Sequence, residues 1–105
     1  MSSADQLLSA RISGICSRYC IRGRIDTRDA AVAELRQVAG DRPDLLAAHA
    51  GLALGLAEAD RLGAPRYRAE AELARLSGAD EAQIVGWIEI GRKRAEQARL
   101  RPYTG

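Results

Sequence analysis

Cys16 and Cys20 are the two cysteines of this chain and His49 is its one histidine. Any soft-metal, thiol or imidazole chemistry has to start from these three side chains. Four residues apart on a helix, the cysteines share one face. Their Cβ atoms then stand about 5–6 Å apart, too far for a disulfide, which wants roughly 3.5–4.5 Å. The same spacing would let two thiolates hold one soft ion, with His49 as a third ligand. A structural zinc site usually takes four ligands and often a Cys-x-x-Cys turn, and neither is present. No metal and no cofactor is therefore favoured. Both cysteines fall on the shoulder of an apolar stripe, where a free cysteine behaves as a small hydrophobe. His49, inside the most apolar segment, is expected to be a hydrogen-bonded core residue.

Other chemistry has less support. The sequence has no Gly-rich phosphate loop, no Gly-x-Ser-x-Gly elbow and no His-Glu-x-x-His. One histidine leaves a Cys–His or Ser–His pair geometrically open, with no local signature for it. Glu58 and Asp60, like Glu70 and Glu72, are two apart and point to different sides of a helix, as solvated faces do. A non-enzymatic protein is expected.

These side chains must be held by helices. Gly23, Gly40, Gly63 and Gly78 each follow an apolar-periodic segment, where a left-handed C-cap would place glycine. Start signals follow at Asp26-Thr27, at Asp41 to Asp44 around Pro43, at Pro65 and at Asp80. Asp80 and Gln83 have capping-box spacing, and Pro43 and Pro65 suit a first helical turn. The expected fold is all-α, a compact bundle of about five short helices near 4–22, 27–39, 43–62, 65–77 and 80–100. At 105 residues it forms one domain, 1–105. No segment alternates as a half-buried strand does.

The first helix has a stripe of Leu8, Ile12, Ile15 and Tyr19, the second Val32, Leu35 and Ala39, and the last Ile84, Trp87, Ile88 and Gly91. The third is apolar almost all round and belongs at the centre of a bundle or in a subunit interface. Within it Ala47, Gly51, Gly55 and Ala59 recur every four residues. Glycine costs a helix about 1 kcal/mol relative to alanine, so the stripe implies a closely approaching backbone. Either another helix of the same chain or a second copy can supply it.

The core is alanine-rich, with twenty alanines against 22 Leu, Ile and Val and no Phe, so helices must approach closely or share a core with another chain. Leu45 to Ala57 is the longest apolar run, shorter than the roughly 20 residues that span a membrane. The N-terminal sequence has no signal-peptide pattern, and two cysteines build no disulfide framework. A cytoplasmic protein with reduced thiols is expected.

Net charge is +2, but its distribution is uneven. Residues 11–28 and 92–105 are each +4, and residues 29–91 are −5. Arg18, Arg22, Arg24, Arg28, Arg92 and Lys93 are candidate contacts for an acidic protein or for phosphates. Alternatively the basic ends satisfy the acidic middle, within the chain or across a dimer. Fifteen of sixteen basic residues are Arg, which a GC-rich genome explains as readily as selection does. No helix-turn-helix pattern is present, and four aromatics make a poor stacking platform for single strands.

The runs RGRIDTRDAAVAELR (22–36), DLLAAHAGLALGLAEAD (44–60) and GADEAQIVGWIEIGRKRA (78–95) resemble small uncharacterised helical proteins of actinobacteria, some near integrated plasmid genes. The resemblance implies a bacterial cytosolic setting and an accessory role around mobile DNA, with no catalytic residue to carry over. The leading expectation is a helical protein-interaction module, homodimeric and without a membrane role. The alternatives are a nucleic-acid-associated accessory protein using the Arg-rich ends, and a metal or thiol site at Cys16 and Cys20.

Overall fold

Helix boundaries follow the proline and aspartate punctuation closely. The computed structural model describes residues 2–20 and 27–100, the side chains of 99 and 100 excepted. Five helices occur in order: α1 Ser3–Tyr19, α2 Arg28–Ala39, α3 Pro43–Ala59, α4 Ala64–Leu76 and α5 Glu81–Leu100. No strand occurs among the described residues. The expected all-α bundle is the observed architecture.

Local chemistry accounts for most ends. Ser2 caps α1 by accepting from the Asp5 amide at 3.1 Å, and proline occupies the first turn of α3 and α4. Asp80 caps α5 through Oδ1, which accepts from the Ala82 amide at 3.0 Å, while Gln83 Nε2 donates to Asp80 Oδ2. The capping box is thus closed side chain to side chain rather than through the Asp80 amide. That amide instead donates to the Pro43 carbonyl at 3.1 Å, tying the start of α5 to the start of α3. Of the four expected left-handed caps, Gly78 is one, with φ of 111°. Gly40 and Gly63 are right-handed, at φ −61° and −88°, and Gly63 precedes α4 rather than ending α3. Gly23 and Asp26 lie outside the described residues.

α3 is central and presents three sides. Leu46, Ala50, Ala53 and Ala57 enter the core with Ile12, Leu35, Leu73 and the two cysteines. The second side receives α5. A Cβ on Gly51 would stand 2.6 Å from the Ile84 carbonyl oxygen, and one on Gly55 2.5 Å from the Arg92 nitrogen. Gly91 reciprocates, since its Cβ would lie 2.7 Å from the Leu52 carbonyl oxygen. As α3 advances from 51 to 55 its neighbours advance from 84–88 to 88–92, so the two helices run parallel. Within the stripe Ala47, Gly51, Gly55 and Ala59, both glycines are therefore filled by the chain's own α5, and that surface is not open to a second copy. The third side of α3 faces α1 and is incompletely covered. No helix among the described residues is long and apolar enough to cross a membrane.

Candidate functional site

Cys16 on α1, His49 on α3 and Glu70 on α4 converge where α1 meets the packed pair α3 and α4. One ligand atom from each lies within 4.8 Å of the others. Cys16 is fully buried, Glu70 is 5% exposed and His49 is half-buried. Glu70 is thus no part of a solvated face, contrary to the expectation from its spacing to Glu72. On α4 the stripe Ala64, Tyr67, Ala71 and Ala74 points inward, and Glu70 stands beside Ala71 on that side.

A carboxylate so deeply placed needs partners. His49 Nε2 lies 3.2 Å from Glu70 Oε1. Arg66, one turn earlier on α4, donates through Nε to Glu70 Oε2 at 3.2 Å, and its Nη2 donates to Ser17 Oγ at 2.9 Å. Among the described residues no buried side-chain polar atom lacks a partner. Burial, with the Glu70 carboxylate adding to it, drives the Cys16 thiol far above its usual range. The same two causes push Cys20 up to about 11. Both are free thiols. A thiol with a raised pKa is a weaker nucleophile at neutral pH than an ordinary cysteine.

Of the three soft ligands read from the sequence, Cys16 and His49 come together. Cys20 is fully buried but is not part of the convergent set. The residue the sequence reading missed is Glu70. Its signal was positional, an acid beside an alanine stripe with an arginine four residues before it.

Next to this cluster runs the open side of α3. Leu45, His49, Leu52 and Leu56, at i, i+4, i+7 and i+11, form a floor. α1 contributes a wall of Gln6, Ser9, Ala10, Ser13 and Ser17, and α5 contributes Trp87 and Arg94. Two adjoining cavities, about 400 and 280 Å³, share Ser13, His49 and Leu52. A smaller one of about 110 Å³ continues them along Leu52, Leu56, Gly91 and Arg94. From Leu45 to Leu56 the groove spans roughly 16 Å, about three helical turns. Another hollow, about 430 Å³ between α2 and α4, is rimmed by Arg28 and Arg36. Both already have partners, in Glu72 and the Leu76 carbonyl.

The expected basic contacts are mostly engaged within the chain. Arg18 pairs with Glu34, Arg28 with Glu72 at 3.1 Å, and Arg92 with Glu58 at 2.7 Å and Glu89 at 2.8 Å. Lys93 Nζ is 4.0 Å from Glu89. These arginines answer the acidic middle of the chain and do not form an uncompensated positive corner. Arg22 and Arg24 lie outside the described residues. Arg94, at the groove rim, has no ion-pair partner among the described residues.

No family model, curated protein or solved structure matches the chain.

Proposed function

We propose that the chain is a non-enzymatic helical interaction module whose α1–α3–α5 groove receives an amphipathic helix with acidic flanks. The observation that carries this reading is the uncovered side of α3. There Leu52 and Leu56 remain half-buried at the bottom of a channel about three turns long. Helix-in-groove recognition uses apolar anchors at i, i+3 or i+4, and i+7, the spacing of the floor itself. Apart from Gln6, the α1 wall is made of serines and an alanine, so on that side a visiting backbone can approach closely. Arg94 on the α5 rim supports acidic flanks, because its guanidinium has no counter-ion among the described residues.

A labelled synthetic helix with a leucine stripe and flanking glutamates tests this by fluorescence anisotropy. Saturable binding is expected. Lysine flanks in place of glutamate should weaken it by roughly 10-fold or more, a difference of about 1.4 kcal/mol. Ser13→Trp, at an exposed position shared by both larger cavities, should abolish it while leaving the helix content unchanged. Binding that ignores Ser13→Trp, or no saturation with either peptide, would overturn the proposal. Light scattering over a concentration series tests the other occupant. If the chain dimerises and Ser13→Trp returns it to a monomer, a second copy fills the groove and the acidic-partner reading fails.

A further inference from the structure

We infer that Cys16, His49 and Glu70 form a three-ligand site for a single zinc ion, at the point where α1, α3 and α4 meet. The donor set is one sulfur, one imidazole nitrogen and one carboxylate oxygen, which suits a borderline-soft divalent cation. The geometry fits as well. Zinc–nitrogen and zinc–oxygen bonds of roughly 2.0–2.1 Å at the tetrahedral angle put two such ligands about 3.3 Å apart. His49 Nε2 and Glu70 Oε1 stand 3.2 Å apart. A sulfur bond of roughly 2.3 Å asks for about 3.6 Å between Sγ and either neighbour. Cys16 Sγ already lies within 4.8 Å of a ligand atom of each, so a shift of roughly an ångström brings it to bonding position.

The surroundings match those of a site with one open position. Arg66 engages the far oxygen, Oε2, and leaves Oε1 for the ion. Such an outer partner fixes the orientation of a ligating carboxylate. His49 and Glu70 both line the 280 Å³ cavity, from which water supplies the fourth ligand. On binding, the Cys16 S–H bond breaks, its proton passes to solvent and the thiolate sulfur bonds the ion. No electron is transferred. Three helices distant in sequence are then joined at one atom, and the open position faces the groove. The site does not depend on the groove having a partner.

The test uses the full chain freed of metal with a chelator and then titrated with cobalt, with zinc as competitor. The expected result is a thiolate-to-cobalt charge-transfer band in the near ultraviolet that saturates at one ion per chain and is bleached by zinc. Cys16→Ser should remove the band and Cys20→Ser should leave it. Arg66→Gln changes a half-exposed side chain that does not touch the ion. It should keep the band and weaken zinc binding by about 10–100-fold, so the prediction survives even if Cys16→Ser fails to fold. Absence of the band in folded wild-type protein at saturating cobalt would overturn the inference. Its loss in Cys20→Ser, or its persistence in folded Cys16→Ser, would do the same.

Discussion

The two long faces that α3 shows to its neighbours differ in side-chain size, and that difference sets how closely each neighbour packs. Toward α5, Gly51 and Gly55 meet Gly91, and backbones come within van der Waals reach. Nothing can enter there, and the close approach recovers dispersion contacts along the seam. Toward α1, Leu45, His49, Leu52 and Leu56 face the serines of α1, and the helices stand apart over a groove. α5 makes its extensive contact with α3 alone, so α1 and α5 act as banks rather than as a lid. One helix thus carries a closed seam and an open grooved face about a third of a turn apart.

The sharpest way to break this contrast is to put a methyl group into the closed seam. Around Gly55 the nearest atoms are all backbone, of Ile88, Gly91 and Arg92, and cannot rotate aside. Overpacking of this kind costs roughly 1–3 kcal/mol, occasionally more, against a gain of about 1 kcal/mol in helix propensity. Gly55→Ala should therefore destabilise by about 1 kcal/mol or more, measured as a lower urea midpoint. The same change at Gly86, on the outer face of α5 with nothing within 4 Å, should stabilise by about 1 kcal/mol. Equal responses at the two sites would show that the seam is not close-packed.

A smaller effect concerns the buried thiols on the other side of α3. A raised folded pKa means that the native state holds its proton where the unfolded chain releases it. The stabilisation is complete below the unfolded thiol value of about 8.5, and is lost as pH rises through the folded value, about 11 for Cys20. Unfolding free energy should fall across that alkaline window. Cys20→Ala should flatten the fall, measured by denaturant titrations at successive pH values. An unchanged slope in Cys20→Ala would mean that this thiol is not protected by burial.

The smallest effect is expected from the exposed ion pairs. Hydrogen bonds from Arg42, Arg18 and Arg75 hold the carboxyls of Asp5, Glu34 and Glu81 below their usual range. A depressed folded pKa adds stability that is present above the unfolded value, about 4, and is lost as pH falls through the folded one. Because these groups are solvated, the acid-side loss should be slight and smaller still in about 0.5 M salt. A steep loss near pH 4 that resists salt would point to a carboxylate in a far less solvated setting.

The fold was legible because its punctuation is local. Pro43, Pro65 and Asp80 act on the turn in which they sit, so helix starts could be placed within a residue or so. The stripe Ala47, Gly51, Gly55 and Ala59 announced a close neighbour, yet periodicity within one helix carries no information about which surface fills it. The structure supplies α5 at Gly51 and Gly55, and Gly91 is the matching glycine. The candidate site was less legible. Cys16, His49 and Glu70 are separated by 33 and 21 positions, and only the packing of α1 and α4 on α3 joins them. The spacing of Glu70 to Glu72 alone reads as a solvated face, and only the inward stripe of Ala64, Tyr67, Ala71 and Ala74 turns Glu70 toward the core. The arginines were harder still, since their acidic partners lie on other helices.

The contrast between the two faces of α3 is tested most directly by methyl and indole NMR of the chain during titration with the leucine-and-glutamate helix. Perturbations confined to Leu45, Leu52, Leu56 and Trp87, with the Leu35 and Leu73 methyls unmoved, are the result this account predicts. Shifts gathered at the exposed Leu62 and Val85, or no shifts at saturating peptide, would contradict it.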